Sequence, residues 1–156
     1  ERAADLALDL GKPLPFSDCS VDRIYSSHRL DHLYYEDAVM LLKESYRILK
    51  DGGTLSVCVP DTALYLEAYC GGEPFDMKRF CIYDFALHYY SRIDLVNYIA
   101  YMGRQHRYMH DGENPVGILK SAGSQKVALR DFDPEMDLEK PDDHRCVYAV
   151  AVKQPG

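Results

Sequence analysis

The chain lacks any apolar stretch that approaches the roughly 18 residues needed to span a lipid bilayer. It also shows no secretory signal, no lipidation motif, no internal repeat and no low-complexity segment. These absences disfavour a membrane protein and predict a globular protein with no membrane partner.

Positive charge is scarce as well. The chain has 18 Lys and Arg residues against 25 Asp and Glu residues, a formal net charge of −7. This deficit disfavours electrostatic binding to nucleic acid or to anionic lipid, and a small-molecule substrate fits better. The length of 156 residues suits one domain with a sizeable core, since a domain of about 150 residues buries roughly 70% of its unfolded surface. We therefore predict a single domain over residues 1–156.

Cysteine pairs of the C-x-x-C type are absent, and the number of cysteines is odd. The five are widely spread: Cys19, Cys58, Cys70, Cys81 and Cys146. We interpret them as reduced thiols of a cytoplasmic protein and predict no metal site. A structural zinc or a disulfide framework is the less favoured alternative.

What is present is an alternation of strand and helix patterns. Ala3 to Leu10 is short and apolar, and Val21 to Ser27 is apolar between turn-forming clusters, so both predict strands. Apolar residues at three- and four-residue steps predict a helix from Glu36 to Lys50, stopped by Gly52-Gly53. Thr54 to Val59 is a β-branched apolar run and predicts a buried strand, parallel to its predecessor because a helix connects them.

The second half of the chain predicts further helices and two more strands. Asp61 is a candidate cap for a short helix, and a Tyr-rich helical insertion follows at about residues 73–108. Another helix begins near Asp111. Lys126 to Phe132 and Val147 to Val152 alternate as an antiparallel strand pair joined by an acidic loop.

The run KPLPFSDCSVDRIYSSHRLDHL (residues 12–33), then a helix and LKDGGTLSV (49–57), resembles the second half of a class I S-adenosylmethionine (SAM) dependent methyltransferase of the type 11-like group. The resemblance implies a Rossmann-like three-layer α/β fold, with parallel strands and a C-terminal antiparallel pair. It also implies SAM as cofactor. The family's glycine-rich motif, which holds SAM, would lie upstream of Glu1. We expect an N-terminally truncated domain whose SAM binding is weak or absent in this chain alone.

The resemblance implies roles for five residues. Asp9 would accept a hydrogen bond from the adenine amino group, with Leu10 beside the ring. Ser26 and Ser27 would lie at the methionine end of SAM, and His28 could act as a general base. The alternatives are that Asp9 merely caps Gly11 and Lys12 and that His28 is an ordinary loop histidine.

Two further groups of polar residues have alternative interpretations. Arg104, His106 and Tyr108 end the Tyr-rich insertion and could form a lid over the substrate, or its aromatic helices could simply pack on the sheet. His32 matches a family histidine that braces a turn. The spacing of His28 and His32 also suits zinc, but the glutamate that a metalloprotease helix would place after the first histidine is absent.

Two functions compete. The first is a SAM-dependent methyltransferase acting on an unidentified small-molecule acceptor, and the alternative is a non-catalytic methyltransferase-like remnant that serves as an interaction or scaffold domain. The strand from Val21 to Ser27 would leave an open sheet edge. We expect Ala3 to Leu10, or a second copy in a homodimer, to cover it.

Overall fold

A computed structural model describes residues 6–71, 75–137 and 145–155. The strands are β1 (Val21–Ser27), β2 (Leu49–Pro60), β3 (Lys126–Arg130) and β4 (Cys146–Val152). The helices are α1 (Tyr35–Ile48), α2 (Ala63–Gly71), α3 (Met77–Phe80), α4 (Ile93–Tyr101) and α5 (Asn114–Ser121). Single 3-10 turns lie at Leu30–His32, Asp84–Ala86 and Met102–Arg104. Within the described ranges no helix is both long and apolar enough to cross a membrane, and the longest, α1, has 14 residues.

The four strands form one mixed sheet in the order β1-β2-β4-β3. β1 and β2 are parallel, with Ile24 opposite Leu55 and Ser27 opposite Cys58. β4 is antiparallel to both β2 and β3. The predicted α/β fold, with a parallel pair and a C-terminal antiparallel pair, is confirmed.

The junction between α1 and β2 differs from the prediction. The helix ends at Ile48, and β2 begins at the next residue, so Gly52-Gly53 lie within the strand and do not stop the helix. A Cβ atom at Gly53 would lie 2.8 Å from the carbonyl oxygen of Lys50 and 3.0 Å from that of Asp22. The glycine is therefore needed where two backbone segments approach closely.

The strand predicted from Ala3 to Leu10 is wrong where it can be checked. Residues 3–5 lie outside the described ranges, and residues 6–10 form no strand. Asp9 bends the chain, since its carbonyl oxygen accepts from the Lys12 amide at 3.1 Å and its carboxylate from the Gly11 amide at 3.1 Å. Leu6 is 55% exposed. An apolar run without a neighbouring strand does not make a strand, and residues 6–10 leave the β1 edge unpaired.

Two hydrophobic cores organise the molecule. The first core lies between the sheet and helices α1 and α5 and is made of buried aliphatic side chains, such as Leu42, Leu55, Val57, Leu119 and Ala149. The second core joins α2, α4 and the turns around them: Tyr65, Cys81, Ala86, Leu95, Tyr98, Ile99 and Met102. A cavity lies between the carboxyl end of the parallel strands and the second core.

Candidate active site

A cavity of about 470 Å³ opens between the carboxyl ends of β1 and β2, the start of β4 and the second core. Its walls are rich in aromatic rings: Tyr25, Tyr65, Phe80, Tyr83, Tyr98 and Tyr148. Open α/β sheets generally bind ligands outside the carboxyl ends of their parallel strands. A cavity of this size and lining suits a small molecule with an aromatic or apolar body.

One wall of the cavity carries a buried carboxylate between two imidazoles. Asp31 Oδ2 lies 3.1 Å from Nε2 of His106 and 3.4 Å from Nε2 of His32. The Asp31 carboxylate is almost completely buried, whereas the His32 side chain is 28% exposed. Local structure holds this arrangement, because the Asp31 carbonyl oxygen accepts from the backbone amide of Arg107 at 2.7 Å. This backbone contact fixes the segment that carries His106 against the turn that carries Asp31.

A hydrogen bond fixes one proton position on His106. Its Nδ1 donates to the carbonyl oxygen of Ile99 at 2.6 Å, because a carbonyl can only accept. Its Nε2 lies 3.1 Å from Asp31 Oδ2, within the distance of an ion pair. Both ring nitrogens of His106 thus contact a neighbouring oxygen atom.

The pKa values of Asp31 and His32 are both lowered, but for different reasons. Burial raises the pKa of Asp31, but the hydrogen bond and charge of His106 and the charges of His32 and His28 outweigh it, and the net pKa is lowered. Burial lowers the pKa of His32 below its ordinary value of 6.5, and the Asp31 charge only partly opposes this. His32 is therefore a neutral imidazole near pH 7. Its Nε2–H can donate to Asp31, which leaves Nδ1 to accept a proton.

A second cluster lines the same cavity. Nε2 of His28 lies 3.3 Å from Sγ of Cys146 and 3.8 Å from Sγ of Cys58. His28 follows β1 directly with a positive φ of 47°, a strained conformation that reverses the backbone at the strand end. Its amide donates to the Cys58 carbonyl oxygen at 2.9 Å. The loop carrying His28 is thus fixed to β2.

The two buried cysteines have opposite environments. The pKa of Cys58 is lowered to about 6, first by a hydrogen bond with Cys146 and also by His28, against the opposing effect of burial. Burial alone raises the pKa of Cys81 to about 11. All five cysteines are free thiols, so no disulfide involves them.

The residues predicted to bind SAM are spread over three environments. Asp9 is exposed and contacts the Gly11 amide and, at 3.3 Å, the Lys12 ammonium, which are the local contacts of the alternative interpretation. Leu10 packs against the first core. Ser26 pairs with Val57 in the sheet, and Ser27 lines the cavity. Their roles toward SAM stay predictions.

The predicted lid residues are not brought together. Arg104 is exposed, and Tyr108 packs against Tyr35 with 5.6 Å between ring centroids. Of the three, His106 alone lines the cavity, as a buried partner of Asp31. Its position is that of a wall residue.

Sequence reasoning missed Asp31, Cys58 and Cys146 as site residues. The cysteines carried a usable signal, because one lies near the carboxyl end of β2 and the other at the start of β4. In an antiparallel pair these two ends meet.

Comparison with known proteins agrees with this fold. Residues 4–57 match the family model described as a methyltransferase domain. Human N-acetylserotonin methyltransferase, solved in complex with SAM, is 18% identical with a TM-score of 0.53, over 96% of this chain and 33% of that one. A SAM-dependent methyltransferase from Thermotoga maritima is 22% identical with a TM-score of 0.53, over 96% of this chain and 63% of that one.

An O-methyltransferase family protein from Burkholderia thailandensis is 15% identical with a TM-score of 0.56, over 97% of this chain and 36% of that one. The chain thus spans less than two thirds of each of these three proteins. Comparison with curated protein sequences gives no match. The fold is that of the class I SAM-dependent methyltransferases, and the resemblance predicted from the sequence is confirmed.

Proposed function

We propose that this protein is a SAM-dependent methyltransferase whose small-molecule acceptor binds in the aromatic cavity. The observation that carries the proposal is a neutral imidazole, His32, held against a buried carboxylate in a cavity at the carboxyl ends of the parallel strands. The methyltransferase fold supports it. A purely structural domain has no need of a cavity lined by such a pair, so the scaffold alternative is less well supported.

The acceptor is a compound with an aromatic or apolar body and one ionisable hydroxyl or amine. Tyr65 and Tyr98, whose rings stack with 5.9 Å between their centroids, line the cavity and would supply aromatic surface to such a body. Ile82 and Phe85 lie on the cavity wall and are partly exposed, so they supply apolar surface near its opening.

His32 would act as the general base. The acceptor hydroxyl loses its proton to Nδ1 of His32 while its oxygen bonds to the transferred methyl carbon. Asp31 orients the ring and stabilises the imidazolium that results. SAM, when bound, would supply the electrophilic methyl group, whose bond to sulfur breaks so that S-adenosylhomocysteine leaves. Most of the remaining catalysis is the alignment of the two reactants and the exclusion of water.

The described residues fit SAM only in part. Asp9 offers an exposed carboxylate for an amino group, and Leu10 an apolar side chain beside it, which suits the adenosine half. We expect weak or undetectable SAM binding to this chain by calorimetry, and a further loss in Asp9→Ala. Glu36→Ala, at an exposed carboxylate on α1, is the control. Equal SAM affinity in both variants would remove Asp9 from the site.

Methyl transfer can be tested with a panel of phenols, catechols and aryl amines, with the mass gain of the acceptor as readout. His32→Gln should lower the turnover at least tenfold and steepen its dependence on pH. His88→Gln, at an exposed histidine that is not among the cavity residues, should have no effect. Loss in His28→Gln with full activity in His32→Gln would instead support the role predicted for His28.

Acceptor binding can be separated from chemistry by saturation-transfer NMR on the same panel without SAM. A panel that neither binds nor reacts would contradict the proposal and favour an interaction domain. A homodimer across the β1 edge and a cytoplasmic location stay predictions. Sedimentation at high concentration, with exchange rates of the Ile24 and Tyr25 amides, tests the dimer.

A further inference from the structure

The cluster of His28, Cys58 and Cys146 has the composition and geometry of a metal site. We propose that it binds one thiophilic divalent cation, Zn²⁺ above all, through two thiolates and one imidazole nitrogen. This inference does not depend on the proposed methyl transfer.

The distances fit a tetrahedral ion. With Zn–S bonds of about 2.3 Å and Zn–N bonds of about 2.0–2.1 Å, tetrahedral angles separate sulfur from nitrogen by roughly 3.6 Å. The observed separations from His28 Nε2 to the two sulfurs are 3.3 and 3.8 Å. All three candidate ligand atoms lie within 4.8 Å of one another. Only shifts of a few tenths of an ångström are needed at the His28 contacts.

Rigid elements hold the ligands. Cys58 is paired with Tyr148 across the antiparallel strands, and Cys146 with Pro60, so the two cysteines are diagonal neighbours on one face of the sheet. The strained turn at His28 brings its imidazole over the same face. A backbone conformation that costs free energy is consistent with a functional position.

The fourth coordination position would face the cavity, because all three ligands line it. Three protein ligands and one open position are typical of catalytic zinc sites, whereas structural sites are closed by four. Water, or a hydroxyl or thiol of a molecule in the cavity, would complete the coordination.

The structure contains another group with metal-ligand spacing, made of Asp31, His32 and His106. It is the poorer site, because Nδ1 of His106 is bound to the Ile99 carbonyl and Nε2 to Asp31. Zinc prefers sulfur and nitrogen donors, and that group has no sulfur. The two groups make opposite predictions for variants.

The test is a Co²⁺ titration of the reduced full chain, followed by displacement with Zn²⁺. We expect one equivalent to bind, with the thiolate-to-cobalt charge-transfer band and the strong visible bands of a tetrahedral site. Zn²⁺ should abolish these bands and raise the melting temperature. Cys58→Ser, Cys146→Ser and His28→Gln should each weaken binding at least tenfold.

Matched controls separate the cluster from other ligands. Cys70→Ser removes an exposed cysteine outside the cluster, and His32→Gln removes a ligand of the competing group. Both should bind Co²⁺ as the unmodified chain does. Circular dichroism without metal identifies variants that fail to fold, and in that case the Cys146→Ala chain replaces Cys146→Ser. The absence of thiolate-to-cobalt absorption in the reduced chain, or its loss in His32→Gln, would overturn the proposal.

Discussion

The two cores of this protein differ in the chemistry of their side chains and in whether the family match reaches them. The first core is wholly aliphatic among its fully buried members and packs two helices on a regular sheet. The second combines aromatic and sulfur-containing side chains with the aliphatic Ala86, Leu95 and Ile99, on short helices and turns. The family match ends at residue 57, before every residue of the second core. The sequence resemblance therefore covers β1, α1 and most of β2, whereas the second core, which would select an acceptor, lies beyond it.

In the second core, aromatic rings pack in specific relative orientations. Tyr65 stacks on Tyr98 and contacts Phe75 and Phe80, and its hydroxyl donates to the Phe80 carbonyl oxygen at 2.8 Å. Aromatic pairs have preferred geometries that aliphatic pairs lack. The wall of the cavity is thus fixed by directional contacts, and the sheet beneath it by close packing.

The largest expected effect on the unfolding of the sheet is in the first core. Leu119 on α5 is fully buried, and Leu119→Ala leaves a cavity against the sheet. We expect a loss of about 2–5 kcal/mol in the free energy of unfolding, measured by urea denaturation. Because α2 of the second core follows β2 after two residues, hydrogen exchange should accelerate in both cores. Acceleration confined to α5 would show that the second core does not depend on the first.

Tyr98→Ala should break the second core and spare the first. Tyr98 is 1% exposed, and truncation of a buried aromatic side chain costs about 3–5 kcal/mol of folding free energy. We expect this loss in the second core. We expect the amides of α2 and α4 to lose protection while those of β2 keep it. The midpoint of sheet unfolding should fall less than in Leu119→Ala. Equal loss of protection in β2 would show that the two cores unfold together.

The same division explains what the sequence could predict. Strands β1, β2 and β4 and helix α1 follow from alternation and from three- and four-residue periodicity, which register burial in a regular scaffold. The pairing of Asp31 with His106 joins residues 75 positions apart through turns without periodicity. Local patterns carry no information on such contacts, so the site could not be assembled before the fold was known.

A smaller effect is expected in the dependence of the free energy of unfolding on pH. Burial lowers the pKa of His32 and of His110 below the ordinary 6.5, so the folded chain resists protons that the unfolded chain takes up. The free energy of unfolding should therefore fall as the pH drops through about 6.5. Asp31, whose net pKa is also lowered, should add a further loss only at more acidic pH.

Urea denaturation between about pH 7.5 and about 5.5 measures this dependence. His110→Gln should flatten it, since a glutamine does not titrate and can still donate to Asn114, the partner of His110 Nδ1 at 2.7 Å. His88→Gln, at an exposed position, is the matched control and should leave the slope unchanged. A slope that survives in His110→Gln would assign the effect to His32 or to other groups.

The smallest global effect is expected at Arg47, which fixes the loop before β1 to the first core. Its guanidinium donates to the carbonyl oxygens of Leu14 at 3.0 Å and Phe16 at 2.9 Å, and to Asp18 at 2.6 Å. Since ion pairs near the surface contribute little to net stability, Arg47→Ala should hardly change the urea midpoint. The loop itself should open, because its carbonyl oxygens lose their donor.

Faster exchange of the Cys19 and Ser20 amides, which bond to the end of α1, would record that opening. Lys50→Ala is the control, because the Lys50 ammonium donates to the side chain of Asp22 and its loss leaves those carbonyl oxygens bound. If both variants opened the loop equally, net charge and not the guanidinium geometry would be responsible. If neither did, packing of Leu14 against the first core would be sufficient to hold the loop.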